Sequence, residues 1–269
     1  MPELPEVETI KRDLEKSVVG QIVEKVSVYD QRVIRGLNLK VFTTKLQGLK
    51  IIKVSRLGKA VILSFEPAGH LVVQLKMTGQ LILNGAKLKE TKLTFLLSNG
   101  QHLNYNDQRI FGRLTFTQRL EDLSYLRTLG VEPLNGHFSL EWLGENLKKK
   151  KVPMKVLLMK QEFIAGIGNI YASEILFASK IHPRRPAFQL KKPEVTTLYQ
   201  KIVHILKEAI EFRGTSMRNY RDVSGHKGGY INRMKVYARH NEPCLECGAT
   251  IQRIVQGGRS TFFCKDCQK

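Results

Sequence analysis

The sequence predicts an α+β protein in three consecutive parts: a β-rich N-terminal part led by one helix, a helical middle, and a small C-terminal metal module. Three observations carry this. Short apolar or alternating runs recur from Ile22 to Phe116, longer stretches with apolar residues at helical spacing lie on either side, and all four cysteines fall in the last 30 residues.

The elements follow in order. Leu4, Val7, Ile10, Leu14 and Val18 keep one helical face until Gly20 stops the pattern. The runs Ile22–Val28, Ile51–Val54, Ala60–Phe65, Leu71–Leu75, Gln80–Leu83, Leu93–Leu97 and Leu114–Phe116 are separated by Gly, Asn and Pro. That texture predicts an antiparallel sandwich or barrel. Residues 131–138 read as a linker. Ser139 then caps a helix reaching about Lys150, a short helix covers Leu157 to Gln161, and another covers Asn169 to Ala178. Val195, Leu198, Ile202, Ile205, Leu206 and Ile210 form the stripe of a helix from Pro193 to Phe212, ended by Gly214. Gly225 to Gly229 is a glycine-rich loop.

The chain's 269 residues suggest two domains, and 42% apolar with 25% charged residues is the composition of a packed globular protein rather than a disordered one. Charge is the unusual quantity. Lys and Arg number 44 against 24 Asp and Glu, a net of +20. Residues 1–130 carry +8 and residues 131–269 carry +12, so both halves face a polyanion, and nucleic acid is the expected partner. Local runs such as Lys148 to Lys151, or the seven basic residues from Arg213 to Arg239, agree in sign. No apolar run reaches the roughly 18 residues of a spanning helix. The acidic start Met1-Pro2-Glu3-Leu4-Pro5-Glu6-Val7-Glu8 has no apolar core of a secretory signal. A cytoplasmic protein without a membrane partner is expected.

Cys244-x2-Cys247 and Cys264-x2-Cys267, 16 residues apart, have the spacing of a four-thiolate zinc site. Disulfides or free thiols are the alternatives. Gly257-Gly258 near the middle of the intervening segment suits a two-stranded hairpin. Four thiolates leave no open ligand position, so the ion is structural. Arg253 and Arg259 in the hairpin are candidate phosphate contacts.

At the other end, removal of Met1 exposes the secondary amine of Pro2. An α-amine has a pKa near 7.7–8.0, so a useful fraction is nucleophilic near neutrality and can form an iminium with an aldehyde-like carbon. Glu3 stands beside it as a proton shuttle. The same acidic residues also suit an ordinary helix N-terminus. Lys59, ahead of a buried-looking strand, can aim its charge at a phosphate or simply end the strand in solvent. Met77-Thr78-Gly79 and Arg109-Ile110-Phe111-Gly112 each put a large side chain at a glycine turn. Such residues either wedge into a base stack or pack a core. Gly166-Ile167-Gly168-Asn169 opens a helix whose exposed amides can hold a phosphate, or is a tight helix start.

Taken together these motifs resemble the bacterial formamidopyrimidine-DNA glycosylase family, which includes the endonuclease VIII-type enzymes. The resemblance spans essentially the whole chain. It runs from Pro2-Glu3-Leu4-Pro5-Glu6-Val7-Glu8 through Lys59, Met77-Thr78-Gly79, Arg109-x-Phe111-Gly112, Leu129-Gly130-Val131-Glu132-Pro133-Leu134, Gly166-Ile167-Gly168-Asn169-Ile170-Tyr171, Ile181-His182-Pro183 and Val236-Tyr237 to the four cysteines. It implies a catalytic β-sandwich domain over 1–131, a helix–two-turn–helix DNA-binding domain over 132–238 and a zinc β-hairpin over 239–269, with duplex DNA in the cleft between the halves. It further implies a bifunctional glycosylase and abasic-site lyase that excises oxidised purines such as 8-oxoguanine and formamidopyrimidines. Pro2 would be the nucleophile on C1′, Glu3 the proton shuttle for sugar ring opening, and Lys59 the contact to the phosphate flanking the lesion. Met77, Arg109 and Phe111 would fill the gap left by the flipped nucleotide, and Lys155, Asn169 and Arg259 would grip phosphates at the kink. The loop from Met217 to Gly229 would cover the flipped base. One structural Zn²⁺, no catalytic cofactor, a monomer, and a bacterial, nucleoid-associated location are also implied.

The sequence departs from the family pattern at Gln74, Glu90 and Lys92, where histidines are usual. These positions bear on lesion preference and opposite-base discrimination, not on the chemistry. Lys59 and the Gly-Ile-Gly-Asn-Ile-Tyr segment favour the formamidopyrimidine branch over an endonuclease VIII-type preference for oxidised pyrimidines. A non-catalytic basic zinc protein that recognises damaged or bent DNA is the reading from a different class, and Pro2-Glu3 discriminates against it.

Overall fold

The computed structural model describes residues 1–269. The leading helix α1, Leu4–Val18, buries Leu4, Val7, Ile10, Leu14 and Val18 completely. Pro5 lies in its first turn, where a missing N–H costs no intrahelical bond. Nine strands follow: β1 Val23–Val28, β2 Ile34–Arg35, β3 Lys50–Leu57, β4 Ala60–Glu66, β5 His70–Gln74, β6 Gly79–Leu83, β7 Thr91–Leu97, β8 His102–Asp107 and β9 Arg113–Thr117. They form a four-stranded sheet in the order β1-β7-β8-β6 and a five-stranded sheet in the order β2-β9-β5-β4-β3. One apolar cluster draws Val26, Phe95, Leu103 and Tyr105 from the first sheet, Val54, Leu63, Leu71 and Leu114 from the second, and Val7, Ile10 and Leu14 from α1. That shared core makes the pair of sheets a sandwich.

The sheets differ from the sequence expectation in three places. The pairing is antiparallel except for the two-residue contact of β2 with β9, which is parallel. β8 is absent from the apolar runs because three of the five residues it buries are polar. Asn104, Asn106 and Asp107 are all at most 3% exposed. Their partners lie on neighbouring strands and turns: the Thr94 hydroxyl donates to Asn104 at 2.7 Å, the Thr91 hydroxyl donates to Asn106 at 2.7 Å, and Asn104 Nδ2 donates to the Gly85 carbonyl at 2.7 Å. The third addition is a helix, α2, Leu39–Leu46, whose β-branched content masks it. Asn38 caps it, accepting from the Val41 amide at 2.9 Å, and Phe42 and Leu46 anchor it in the core.

A short helix α3, Ser124–Arg127, closes this part. Beyond it, α4 is Leu140–Leu147, with Ser139 accepting from the Trp142 amide at 3.1 Å; it ends before the lysine run rather than at Lys150. α5 is Met154–Leu158, one turn earlier than the expected 157–161, because Pro153 presets the entry into its first turn. α6, Asn169–Ala178, and α7, Lys192–Glu211, lie where the periodicity puts them. β10, Gln252–Gln256, and β11, Arg259–Phe263, pair antiparallel around Gly257-Gly258, both at positive φ (53° and 71°). No helix is long and apolar enough to cross a membrane.

Contacts divide the chain into two compact units, Met1–Arg127 with Ile210–Ile231, and Thr128–Ala209 with Asn232–Lys269. The segment after α7 thus returns to the sandwich unit. Replacing Asn38 with Ala removes the α2 cap and should cost about 1 kcal/mol. Equilibrium urea unfolding of the variant measures this; an unchanged midpoint would show that the cap contributes nothing.

Candidate functional site

The N-terminal turn is fixed by a carboxylate. Pro2 and Glu3 are buried, and the Glu3 amide donates to Glu6 Oε2 at 2.7 Å. The other oxygen of Glu6 accepts from the Thr215 amide at 2.7 Å, so one side chain ties the start of α1 to the segment after α7. Gly214 has to be glycine: its φ is +79°, and a Cβ there would lie 2.7 Å from Glu6 Oε1. Lys59 sits in the two-residue turn between β3 and β4, with Gly58 at φ 55° supplying the left-handed position. Arg56 fastens this turn. It donates to the Gly58 carbonyl at 3.0 Å and to Glu8 of α1 at 2.9 Å, a pair with little solvent exposure. The helix bearing Pro2 and Glu3 and the turn bearing Lys59 are therefore tied together.

The two glycine turns that carry Met77 and Phe111 stand side by side, because β6 and β8 pair Gly79 with Asp107 at the point where both turns leave the sheet. Met77 and Phe111 are 37% and 49% exposed, unlike core residues of their size. The Arg109 guanidinium lies 4.4 Å from the Phe111 ring centre, so these two side chains form one stacked unit. Lys76 and Ile110 hold positive φ (53° and 57°), a conformation costing of order 1–3 kcal/mol for such residues.

The segment after α7 has a fixed base and an open tip. The Gly229 amide donates to the Phe212 carbonyl at 2.8 Å and the Tyr230 amide to the Gly214 carbonyl at 3.0 Å. Gly228 approaches the Gly214 carbonyl so closely that a Cβ would sit 2.3 Å from it. Asp222, buried, accepts from Arg213 Nε at 2.9 Å and from the amides of Ser224 and His226 at 3.0 and 2.8 Å. Met217, Arg218 and residues 224–227 are left exposed. Beside this loop opens a cavity of about 450 Å³ whose lining includes Thr78, Gln80, Glu90, Asn106, Arg218 and Arg221. Its polar walls can hydrogen-bond a flat heterocycle.

In the second unit three predicted residues come together. Lys155 is wholly buried, and its ammonium donates to the Asn169 carbonyl at 2.8 Å and to the Ser173 hydroxyl. It bears on the first turn of α6 rather than on solvent. Asn169 Nδ2 donates to the Ser260 carbonyl at 2.9 Å, which sets the start of β11, and hence Arg259, beside that helix end. Arg259 and Arg253 are exposed. Gln161 shapes the preceding loop, accepting from the Gly166 amide at 3.0 Å and donating to the Ile167 carbonyl at 2.8 Å. Glu174 is buried and accepts from the amides of Lys235, Val236 and Tyr237 at 2.8, 3.0 and 2.8 Å. Burial pushes its carboxyl above the ordinary range, and the three amides oppose that shift.

The four cysteine sulfurs lie within 4.8 Å of one another. Cys244 and Cys267 are 3.9 Å apart, and Cys247 and Cys264 are 3.4 Å apart. A zinc tetrahedron with 2.3 Å Zn–S bonds has edges of about 3.8 Å, so the donor set fits one zinc ion, and these separations exclude disulfides. Phe177 of α6, Val236 and Ile251 pack on Cys244 and Cys264, so the metal site shares its core with α6.

Sequence reasoning did not find Glu6, Arg56, Asp107, Glu174 or Asp222. Only Glu6 carried a signal, lying three residues after Glu3 in the spacing of a capping box.

Three family models match the chain: the formamidopyrimidine-DNA glycosylase N-terminal domain over residues 1–114, the formamidopyrimidine-DNA glycosylase H2TH domain over residues 129–221, and the zinc finger found in FPG and IleRS over residues 241–269. A formamidopyrimidine-DNA glycosylase of Desulforamulus reducens is 41% identical over all of this chain and 99% of its own. Another, from Pelotomaculum thermopropionicum, is 40% identical with the same coverage. Among solved structures, MutM (Fpg) of Thermus thermophilus is similar with a TM-score of 0.90 at 37% identity, covering 99% of this chain and 98% of that one. A Lactococcus lactis Fpg mutant in complex with DNA containing Fapy-dG is similar with a TM-score of 0.92 at 34% identity, over the whole of both chains.

The metal site gives a direct measurement. Purified protein should carry one zinc per chain, and Cys264→Ser should lose it and destabilise the hairpin. Elemental analysis finding well under one zinc per folded chain would contradict this.

Proposed function

The chain belongs to the formamidopyrimidine-DNA glycosylase family, and from that premise we propose that it removes oxidised purines from duplex DNA and then cleaves the strand at the resulting abasic site. The single observation that supports this best is the buried N-terminal turn, where Pro2 and Glu3 are held by Glu6 rather than left to fray. A protein that only binds DNA has no use for an immobilised proline at its second position. Solved relatives support the substrate: Lactococcus lactis Fpg has been seen with DNA containing Fapy-dG and with DNA containing an abasic site.

The chemistry follows from the residues. An intrahelical base is out of reach, so the nucleotide must be extruded. Met77, Arg109 and Phe111 replace the lost stacking, and the cavity beside Thr78 and Glu90 takes the base. Once Met1 is gone, the Pro2 nitrogen attacks C1′ and the bond from C1′ to the base nitrogen breaks. The Glu3 carboxyl delivers a proton to the ring oxygen, the sugar opens, and an iminium links Pro2 to C1′. The iminium acidifies the C2′ protons; loss of one expels the 3′ phosphate, and a second elimination expels the 5′ phosphate. Lys59 neutralises the phosphate flanking the lesion. Lys155 supports the Asn169 turn from beneath, while Asn169 and Arg259 face the backbone. Zinc holds the hairpin that presents Arg259 and takes no part in bond breaking. The work is done in the cytoplasm, on the nucleoid.

Borohydride reduction tests the central step, because it converts the iminium into a stable crosslink. Wild-type protein incubated with abasic-site DNA and borohydride should yield a covalent complex on a denaturing gel. Pro2→Gly combined with Glu3→Gln should lose it by at least about a hundredfold. Equal trapping by the double variant, or Met1 retained in the intact mass of active protein, would remove Pro2 as nucleophile. Affinity for undamaged duplex should also fall steeply between 50 and 200 mM salt.

A further inference from the structure

We infer that Asp107 is a positioning residue that locks the two wedge turns into one rigid unit, so that Met77, Arg109 and Phe111 enter the base stack together. The inference rests on the functional reading above, and goes beyond it by assigning the control of base extrusion to a buried carboxylate that touches no DNA.

Asp107 is 0% exposed, at the end of β8. Its Oδ1 accepts from the Thr78 hydroxyl, in the turn that carries Met77, and from the Arg109 amide at 3.2 Å. Its Oδ2 accepts from the Gly112 amide at 2.7 Å and from the Tyr105 hydroxyl at 3.2 Å. One carboxylate thus holds the first turn through Thr78 and both ends of the second through Arg109 and Gly112. Thr78 adds a direct link, its hydroxyl oxygen also accepting from the Arg109 amide at 3.1 Å. Burial and the neighbouring carboxylate push the Tyr105 phenol up, so it stays protonated and donates.

The turns are packed tightly at both glycines. A Cβ at Gly112 would lie 1.7 Å from the Tyr105 hydroxyl, and one at Gly79 would lie 2.4 Å from the Leu75 carbonyl. Both turns carry non-glycine residues at positive φ, Lys76 and Ile110, a conformation that persists only where the surroundings over-determine it. The carboxylate supplies that determination. Without it each turn could relax separately, and a wedge that retreats cannot hold an unstacked step open.

This predicts a selective defect. Extruding a paired base needs the wedge; capturing an abasic sugar needs it far less, because there is no base to unstack. Asp107→Asn turns one acceptor oxygen into an NH2 group that faces the amide of either Arg109 or Gly112, so the second turn loses one of its two ties. Tyr105→Phe removes only the phenol donor to Oδ2 and keeps the ring, at a residue that does not line the cavity. Single-turnover excision of 8-oxoguanine opposite cytosine should fall about a hundredfold for Asp107→Asn. It should fall about tenfold for Tyr105→Phe, while both variants keep borohydride trapping on abasic-site DNA within about threefold of wild type.

A merely structural role would lower both activities together, and that outcome overturns the inference, as does excision at the wild-type rate in both variants. Should Asp107→Asn fail to fold, Tyr105→Phe carries the comparison alone. No trapping by the wild-type protein would sink the functional reading; an active wild type with variants that match it on both substrates would sink this inference only.

Discussion

The arrangement at the N-terminus depends on one interaction, the two-sided acceptance of backbone amides by Glu6. Burying a carboxylate costs several kcal/mol unless its oxygens find donors. Here each oxygen finds one, the Glu3 amide on one side and the Thr215 amide on the other. The interaction closes a chain segment across 209 residues, and it is charge-assisted, so it is stronger than an ordinary backbone contact. Gly214 reads as its consequence. The left-handed backbone and the missing Cβ allow the oxygen to reach the Thr215 amide at all. Glu3 completes the turn from its own side, its side chain accepting from the Glu6 amide in a reciprocal capping box.

The same device recurs. Asp107, Glu174 and Asp222 are each buried, and each accepts from backbone amides of turns that precede or follow an element: residues 109 and 112, residues 235–237, and residues 224 and 226. The chain carries a large cationic excess, +20, that can serve association with a polyanion at long range. A basic surface is a poor organiser, since its charges repel one another and are screened by salt. These four buried acidic side chains take the opposite role. Each accepts from backbone amides, and Asp222 also pairs with Arg213.

What the sequence made legible follows the same division. The zinc site could be read because its four ligands are side chains at fixed spacing, and β10 with β11 because Gly257-Gly258 marks the turn. The strands of the sandwich were legible wherever burial alternates with apolar residues. β8 was not, since Asn104, Asn106 and Asp107 are buried as polar groups, and periodicity counts only apolar ones. The carboxylates that organise the turns were illegible for a deeper reason. Their partners are backbone amides, which every residue except proline possesses, at separations of 61 to 63 residues for Glu174 and 209 for Glu6. Lys155 shows the reverse error of intuition. A lysine in a basic chain reads as a surface cation, yet this one is fully buried with its ammonium on a helix start.

The burial of Lys155 bears on how the phosphate contact proposed for the second unit would work. A cation beneath the first turn of α6 repels the positive end of the helix dipole, which by itself is unfavourable. The Asn169 carbonyl and the Ser173 hydroxyl offset this by accepting from the ammonium. The remaining positive potential adds to that of the exposed guanidinium of Arg259. For the phosphate contact proposed above, a cation already fixed in place needs little reorganisation. A surface lysine would offer the same formal charge, but on a flexible stem whose ordering costs entropy at every encounter. Burying the charge moves that ordering cost from binding to folding.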